Sequence, residues 1–260
     1  MDFCCTMFID THCHLYADDF TTDIDAVMKR AATENVKKFY LPAIDSSTHT
    51  AMLKLEEDYP DKCFAMMGLH PCSVKNNYQK ELEIIDEWLH KRKFAAIGEI
   101  GLDMYWDKTF RQEQYNAFHI QIEQALQYKL PIIIHTRNAM AETIAVVNEY
   151  IPKGLTGIFH CFGGTVEEAN QIIDMGFLLG IGGVLTYKKS GLDATLKNIP
   201  LEHIVLETDA PYLTPVPFRG KRNESSYLKY IIQSLAEVKN VSIEEIASVT
   251  TVNAEKVFSY

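Results

Sequence analysis

Basic residues are scarce. Lysine and arginine together number 25 against 35 acidic residues, a formal net charge of −10. That balance excludes a nucleic-acid coat protein, whose affinity would come from a broad basic surface. It leaves room for an enzyme with a small basic patch around one cleft. The chain also lacks any apolar run near the ~20 residues needed to span a bilayer, so no membrane association is expected. No N-terminal stretch combines basic residues, a long apolar core and a cleavage site, so export is not signalled. The six cysteines, Cys4, Cys5, Cys13, Cys63, Cys72 and Cys161, include no CxxC pair, which argues against structural zinc. Pro/Gly/Ser-rich linkers and low-complexity tracts are missing too. The expectation is one domain over residues 1–260, reduced and cytoplasmic, with no obligate protein partner.

What is present is a repeat of strand and helix. Hydrophobic residues make up 47% and charged residues 23%, ordinary globular usage that excludes intrinsic disorder. Short, nearly continuous apolar runs fall at Met7–His14, Lys38–Ile44, Cys63–His70, Ala95–Asp103, Pro131–Arg137, Thr156–Phe162, Phe177–Gly183 and His203–Asp209. Such runs suit parallel strands buried on both faces. Between them lie helical patterns, such as Ile24, Val27 and Ala31, or Tyr115, Phe118, Ile122 and Ala125. Thr109 with Gln112, Thr165 with Glu168 and Ser242 with Glu245 read as capping boxes, and Ser46 and Ser47 mark the start of the second helix. Eight strand-helix units predict an α/β fold, a (β/α)8 TIM barrel with one or two extra C-terminal helices over Ser242–Phe258. A doubly wound open sheet shares the local alternation, but eight is the number that closes a barrel.

Histidine placement carries the functional signal. Of nine histidines, His12, His14, His70, His135 and His160 fall at the C-terminal ends of predicted strands, where barrel active sites form. His49, His90 and His119 fall on predicted helices, and His203 begins a strand. His12-Cys13-His14 puts two imidazoles on one side of a strand, because side chains alternate with period two. Glu99 is a carboxylate inside an apolar strand and needs a cation or hydrogen bonds to be buried. A Lys or Arg partner would satisfy it, but a metal also accounts for the histidines. Asp209 completes the set, with Glu207 on the same parity as an acceptor for a ligand imidazole. His12, His14, Glu99, His135, His160 and Asp209 are too many for one tetrahedral ion with an open position. They suit two divalent cations bridged by one carboxylate, for which Glu99 is the candidate.

The segments DTHCHL (10–15), GLHP (68–71), GEIGLD (98–103), HTR (135–137), HCFGG (160–164), ETDAPYL (207–213) and RGKRNE (219–224) resemble the TatD family of metal-dependent hydrolases, within the wider amidohydrolase-like barrels. The resemblance runs in consistent order through Asn253. It implies a TIM-type barrel with divalent-metal-dependent deoxyribonuclease activity, often 3′-to-5′ exonucleolytic. It would give one ion to His12, His14, Glu99 and Asp209, and a second to Glu99, His135 and His160. It also places His70 near the substrate phosphate. Many amidohydrolases bridge their metals with a carboxylated lysine; Glu99 holds the matching position here. The family often continues the basic motif as RNEP, whereas Ser225 follows Glu224 in this chain.

The expected chemistry is phosphodiester hydrolysis by metal-activated water, with Asp209 moving the water's proton and Glu99 bridging. Asp103, Arg137, Arg219, Lys221 and Arg222, with His70, are the candidate substrate contacts, Lys188 and Lys189 lying in the same loops. Tyr105, Trp106, Tyr187 and Tyr212 are placed to stack on bases. The expected substrate is DNA, as single strands or 3′ ends. The competing readings are an amidohydrolase or esterase acting on a small molecule or an aminoacyl-tRNA ester with the same metals, and a non-catalytic metal-binding scaffold. Imidazoles favour Zn2+ or Mn2+, and the oxygen ligands admit Mg2+. Strand parity turns Cys13 and Cys161 away from the barrel axis.

Overall fold

A computed structural model describes residues 7–258. Cys4 and Cys5 lie outside the described residues. Eight parallel strands alternate with helices in chain order: β1 (Phe8–Asp10), α1 (Ile24–Thr33), β2 (Val36–Pro42), α2 (Ser46–Asp58), β3 (Cys63–Met66), α3 (Tyr78–Lys91), β4 (Ile97–Asp103), α4 (Arg111–Tyr128), β5 (Ile132–Arg137), α5 (Met140–Asn148), β6 (Gly157–Phe159), α6 (Val166–Asp174), β7 (Leu178–Ile181), α7 (Leu192–Leu196), β8 (Ile204–Leu206), α8 (Leu228–Lys239) and α9 (Ile243–Val257). The strands pair in two runs, β1-β2-β3 and β4 through β8. Two seams join them. Met67 bridges Ile97 beside β4, and at the other seam Thr11 N donates to Leu206 O at 3.0 Å and Asp209 N to His12 O at 2.9 Å. The result is the (β/α)8 barrel, with α9 as one extra helix.

The core divides as a closed barrel requires. One cluster lies inside, formed by Ile9, Tyr40, Met66, Ala96, Ile133, Ile158 and Val205 with Ala254 and Phe258 from the end of α9. Phe258 stacks on Tyr40 with centroids 3.7 Å apart. The other cluster packs strands against helices and takes the alternate residues, among them Ile132, Ile134, Phe159, Ile204 and Leu206. Ile133, Ile158 and Val205 each stand two residues before His135, His160 and Glu207, so strand alternation puts the polar set one layer above the inner apolar layer.

The strands are shorter than their apolar runs. β1 stops at Asp10 and β8 at Leu206, so His12, His14, Glu207 and Asp209 stand on the segments just beyond. His203 lies in a 3-10 turn before β8 rather than in the strand. The box at Thr165 forms in both halves, whereas at Ser242 only the hydroxyl half does, accepting Glu245 N. The Thr109 box does not: α4 starts at Arg111 without a side-chain cap, because Thr109 N is taken by Asp107 Oδ1 at 2.9 Å. At α2 the cap is Asp45, which accepts from Ser47 N, and Ser46 is already the first helical residue.

Candidate metal centre

Glu99 sits at the middle of the polar layer because β4 carries a bulge. Gly98 pairs with Ile133 and Ile100 with Ile134, leaving Glu99 without a partner across the ladder. Ile97 and Ile100 both face the helices as a consequence, and the extra residue turns its carboxylate inward. Gly101 permits the tight β4–β5 approach above it: a Cβ there would lie 2.0 Å from His135 O.

The two Glu99 oxygens face different histidines. Oε2 lies 3.1 Å from His12 Nε2 and 3.7 Å from His14 Nε2. Oε1 lies 2.8 Å from His135 Nδ1, 3.4 Å from His70 Nε2 and 3.8 Å from His160 Nε2. Asp209 Oδ1 stands 3.7, 3.6 and 3.9 Å from the Nε2 atoms of His12, His14 and His160. His12 and His14 bring their Nε2 atoms within 3.3 Å of each other. Ligand atoms sharing a cation at ~2.0–2.2 Å are themselves roughly 3–3.5 Å apart. The spacing therefore suits a cation without large rearrangement. The compact groups are His12 with His14 and Asp209, His12 with Glu99 and His160, and His70 with Glu99 and His135. His160 thus groups with His12, on which its ring stacks at 3.5 Å, rather than with His135.

Tautomers follow from the partners behind each ring. Tyr16 donates its hydroxyl to Pro42 O at 2.5 Å, so its oxygen accepts from His14 Nδ1 at 2.8 Å and leaves the His14 Nε2 lone pair facing Asp209. His160 Nδ1 lies 2.9 Å from Glu207 Oε1, though its N–H is not squarely aligned, and the same oxygen accepts Cys161 N at 2.6 Å. Gly180 on β7 makes room for Glu207: a Cβ there would be 2.3 Å from its Oε2. His135 Nε2 meets Asp103 Oδ2 at 3.0 Å, which leaves Nδ1 for the centre. His70 is different. Its Nδ1 accepts Cys72 N at 3.0 Å, so the neutral ring carries its proton on Nε2 and offers a donor rather than a lone pair.

The electrostatics divide the cluster. Burial holds His12 well below the usual imidazole range, with His160 adding to the effect, and brings His14 down to about 4 against the pull of Glu99. Burial pushes Glu99 up, but His70, His12 and His160 more than reverse it and hold it well below the carboxylate range. Burial raises Asp209 to about 7, with His160 opposing and Glu99 and Glu207 adding. For His160 burial is outweighed by Glu207 and Glu99, which take the ring up to about 10; His135 is raised likewise by Asp103 and Glu99. Without a cation, the raised His160 imidazole holds a proton near neutral pH and supplies positive charge that these carboxylates require. That demand, with the free Nε2 lone pair on His14 and the buried, unpartnered Nδ1 of His12, fits the residues to a metal.

The remaining candidates are placed variously. Asp103 braces His135 and accepts Tyr105 N and Trp106 N, both at 2.9 Å. Arg137 lies against Tyr105 and Trp106, and Arg219 against Tyr187 at 3.8 Å from the ring centre. Lys221 lies over Phe218. Arg222 is not brought to the cluster: its guanidinium grips both Asp23 oxygens at 2.7 and 2.8 Å, reaches Asp19 O and covers Phe20. Cys13 is buried with its thiol toward Tyr40 O, as parity requires. Cys161 departs from that expectation. β6 ends at Phe159, Cys161 turns to φ 48°, and its sulfur groups with His160 and Glu207 beside the centre. Sequence reasoning missed Tyr16, whose only signal was its parity with His12 and His14. It also missed Asp10, which accepts Thr208 N, Thr208 Oγ1 and Ser225 Oγ and ties β1 to the loop after β8. Ser225, the departure from the family motif, is thus a donor to a buried carboxylate.

Comparison with known proteins gives the family. The family model for TatD related DNase matches residues 9–259. A Bacillus subtilis protein named uncharacterized metal-dependent hydrolase YabD is 40% identical, covering 97% of this chain and 99% of its own. The Pantoea ananatis 3′-5′ ssDNA/RNA exonuclease TatD is 31% identical over 96% and 98% of the two chains. The crystal structure of YjjV, a TatD homologue from Escherichia coli, superposes with a TM-score of 0.92 at 30% identity, covering 97% and 98%. Fold, ligand geometry and these relatives together make the chain a member of the TatD family of metal-dependent hydrolases.

Proposed function

We propose that the protein hydrolyses phosphodiester bonds in DNA, at single strands or 3′ ends, using two divalent cations (Mg2+, Zn2+ or Mn2+). The observation that carries this is Glu99, whose two carboxylate oxygens face separate histidine groups as a bridging ligand would. His12, His14, Glu99 and Asp209 would hold one cation, and Glu99, His135 and His160 the other, the His160 ring turning from its stack on His12 toward Glu99 Oε1, 3.8 Å from its Nε2. Bound there, the cations supply a hydroxide near neutral pH and neutralise charge on the phosphoryl oxygens. The chain's own groups do the rest. Glu207 fixes the His160 ring, and Tyr16 fixes that of His14. Asp209 accepts the proton of the attacking water and returns it to the leaving oxygen. His70 donates from Nε2 to a phosphoryl oxygen. Arg137, Arg219 and Lys221 supply positive charge along the strand. The Pantoea relative is named a 3′-5′ ssDNA/RNA exonuclease, which supports a nucleic-acid substrate.

Single-stranded DNA incubated with metal-loaded protein should release nucleotides, and EDTA should stop the release. Asp209→Asn should lower turnover by about 10²–10⁴-fold with an unchanged circular dichroism spectrum. Absence of release across metals and salt, with hydrolysis of a small-molecule amide or ester or of an aminoacyl-tRNA ester instead, would transfer the same centre to the amidohydrolase or esterase class.

A further inference from the structure

Next to the candidate metal centre lies an aromatic surface from which the proposed hydrolysis uses only the charge of Arg137. Tyr105 and Trp106 are 49% and 66% exposed, although apolar rings are normally covered. Their rings meet edge-on with centroids 4.8 Å apart. The guanidinium of Arg137 lies 4.2 Å from the Tyr105 ring centre and 5.2 Å from that of Trp106. Arg137 stands two residues after His135 on β5, on the same face, and so is the next side chain outward from the centre. A flat aromatic surface and a cation side by side match a planar heterocycle carrying a phosphate.

Asp103 links this surface to the centre. It is 1% exposed, and its two oxygens serve different masters. Oδ2 accepts from His135 Nε2 at 3.0 Å, while Oδ1 accepts the backbone N–H groups of Tyr105 and Trp106. Gln114 of α4 pins the Asp103 backbone from both sides, donating to its carbonyl at 3.2 Å and accepting its N–H at 2.9 Å. The carboxylate therefore cannot move toward one duty without loosening the other.

We infer that Tyr105, Trp106 and Arg137 form a nucleotide subsite directly outside the metal centre, and that Asp103 is a positioning residue holding both this subsite and the His135 tautomer. The inference rests on the phosphodiester reading above, since it supplies the base and phosphate of the residue adjoining the scissile bond.

The two oxygens allow separate tests. Trp88 and Trp106 are the two tryptophans of the chain, so Trp88→Phe leaves Trp106 as the sole tryptophan, excited selectively beyond the absorption of tyrosine. Thymidine 5′-monophosphate titrated into this variant in EDTA should quench the emission saturably, while thymidine without phosphate should bind at least tenfold more weakly. Asp103→Asn keeps an acceptor for the two N–H groups but presents an amide N–H to His135, forcing the other tautomer. It should leave nucleotide quenching within twofold and weaken Mn2+ binding, read by calorimetry, by about 10–100-fold. Asp103→Ala should lose both. Quenching unchanged in Asp103→Ala, or Mn2+ affinity unchanged in Asp103→Asn, would overturn the positioning role; no saturable quenching would overturn the subsite. These readouts need no turnover, so quenching by the nucleotide in a protein inert toward DNA would retire the nuclease reading and leave the subsite standing.

Discussion

Arg222 shows what a single cation in a motif can be occupied with. Its bidentate grip on Asp23 joins the loop after β8 to the residue that precedes α1, and Arg30 bridges Asp23 to Glu224 on the same side. Asp23 is held down at about 2, chiefly by Arg222 with burial opposing and Arg30 assisting. The depressed value sets the sign. The pair's stabilisation is complete above the unfolded carboxylate range near 3.8 and is lost as pH falls through about 2. Arg222→Ala should therefore cost about 1 kcal/mol in urea denaturation at pH 6, and the difference from the parent chain should shrink steadily below pH 4. Its KM for a DNA substrate should change less than that of Arg137→Ala. A large KM effect with unchanged stability would reassign Arg222 to the substrate.

At the scale of elements, the β7–β8 neighbourhood is where packing and ligation meet. Gly180 gives Glu207 its space, Glu207 braces His160, and His160 stacks on His12. A methyl at Gly180 also comes within 3.2 Å of His160 Cα, so the backbone cannot simply yield. Gly180→Ala should cost about 1–3 kcal/mol of stability by overpacking. It should also weaken metal binding by about 10–100-fold, because the imidazole loses its orienting carboxylate. Glu207→Gln should reproduce the affinity loss at smaller cost in stability, measured by calorimetry and thermal melts on the two variants. The same elements show what was legible in advance. Ile133/His135 and Ile158/His160 follow strand alternation, so the candidate ligands could be read from parity and from the ends of apolar runs. The β4 bulge could not, because nothing in Gly98-Glu99-Ile100 specifies that two residues oppose one across the ladder. Parity failed at Cys161 for a related reason: it assumes extended backbone, and the chain leaves β6 after Phe159 through a left-handed turn. Thr109 had the right spacing for a cap, yet Asp107 competed for its N–H, a contest invisible to a motif.

Over the whole molecule, the net charge of −10 conceals a core in which charge is exchanged rather than missing. Glu99, Asp103, Glu207 and Asp209 converge on imidazoles inside an otherwise apolar barrel, and so many carboxylates in one place call for a counter-charge. In the metal-free protein that counter-charge is protons: His160 lies up at about 10, His135 is raised, and Asp209 is near 7. A cation needs neutral imidazoles and an ionised Asp209, so loading must expel those protons. Two consequences follow. Adding Mn2+ or Zn2+ to metal-free protein at pH 7 should release more than one proton per chain, seen as buffer-dependent heats in calorimetry, and affinity should fall as pH is lowered from 8 to 6. The chelated protein should keep its far-ultraviolet circular dichroism spectrum, because the protons maintain the charge balance. Its melting temperature should nevertheless rise by roughly 5–10 °C when the cation is restored at about a hundredfold excess over Kd. Buffer-independent heats would mean that His160 and Asp209 already hold their ligand forms without metal. Unfolding on chelation would mean that protons do not replace the cations, and that the barrel depends on its metals to close.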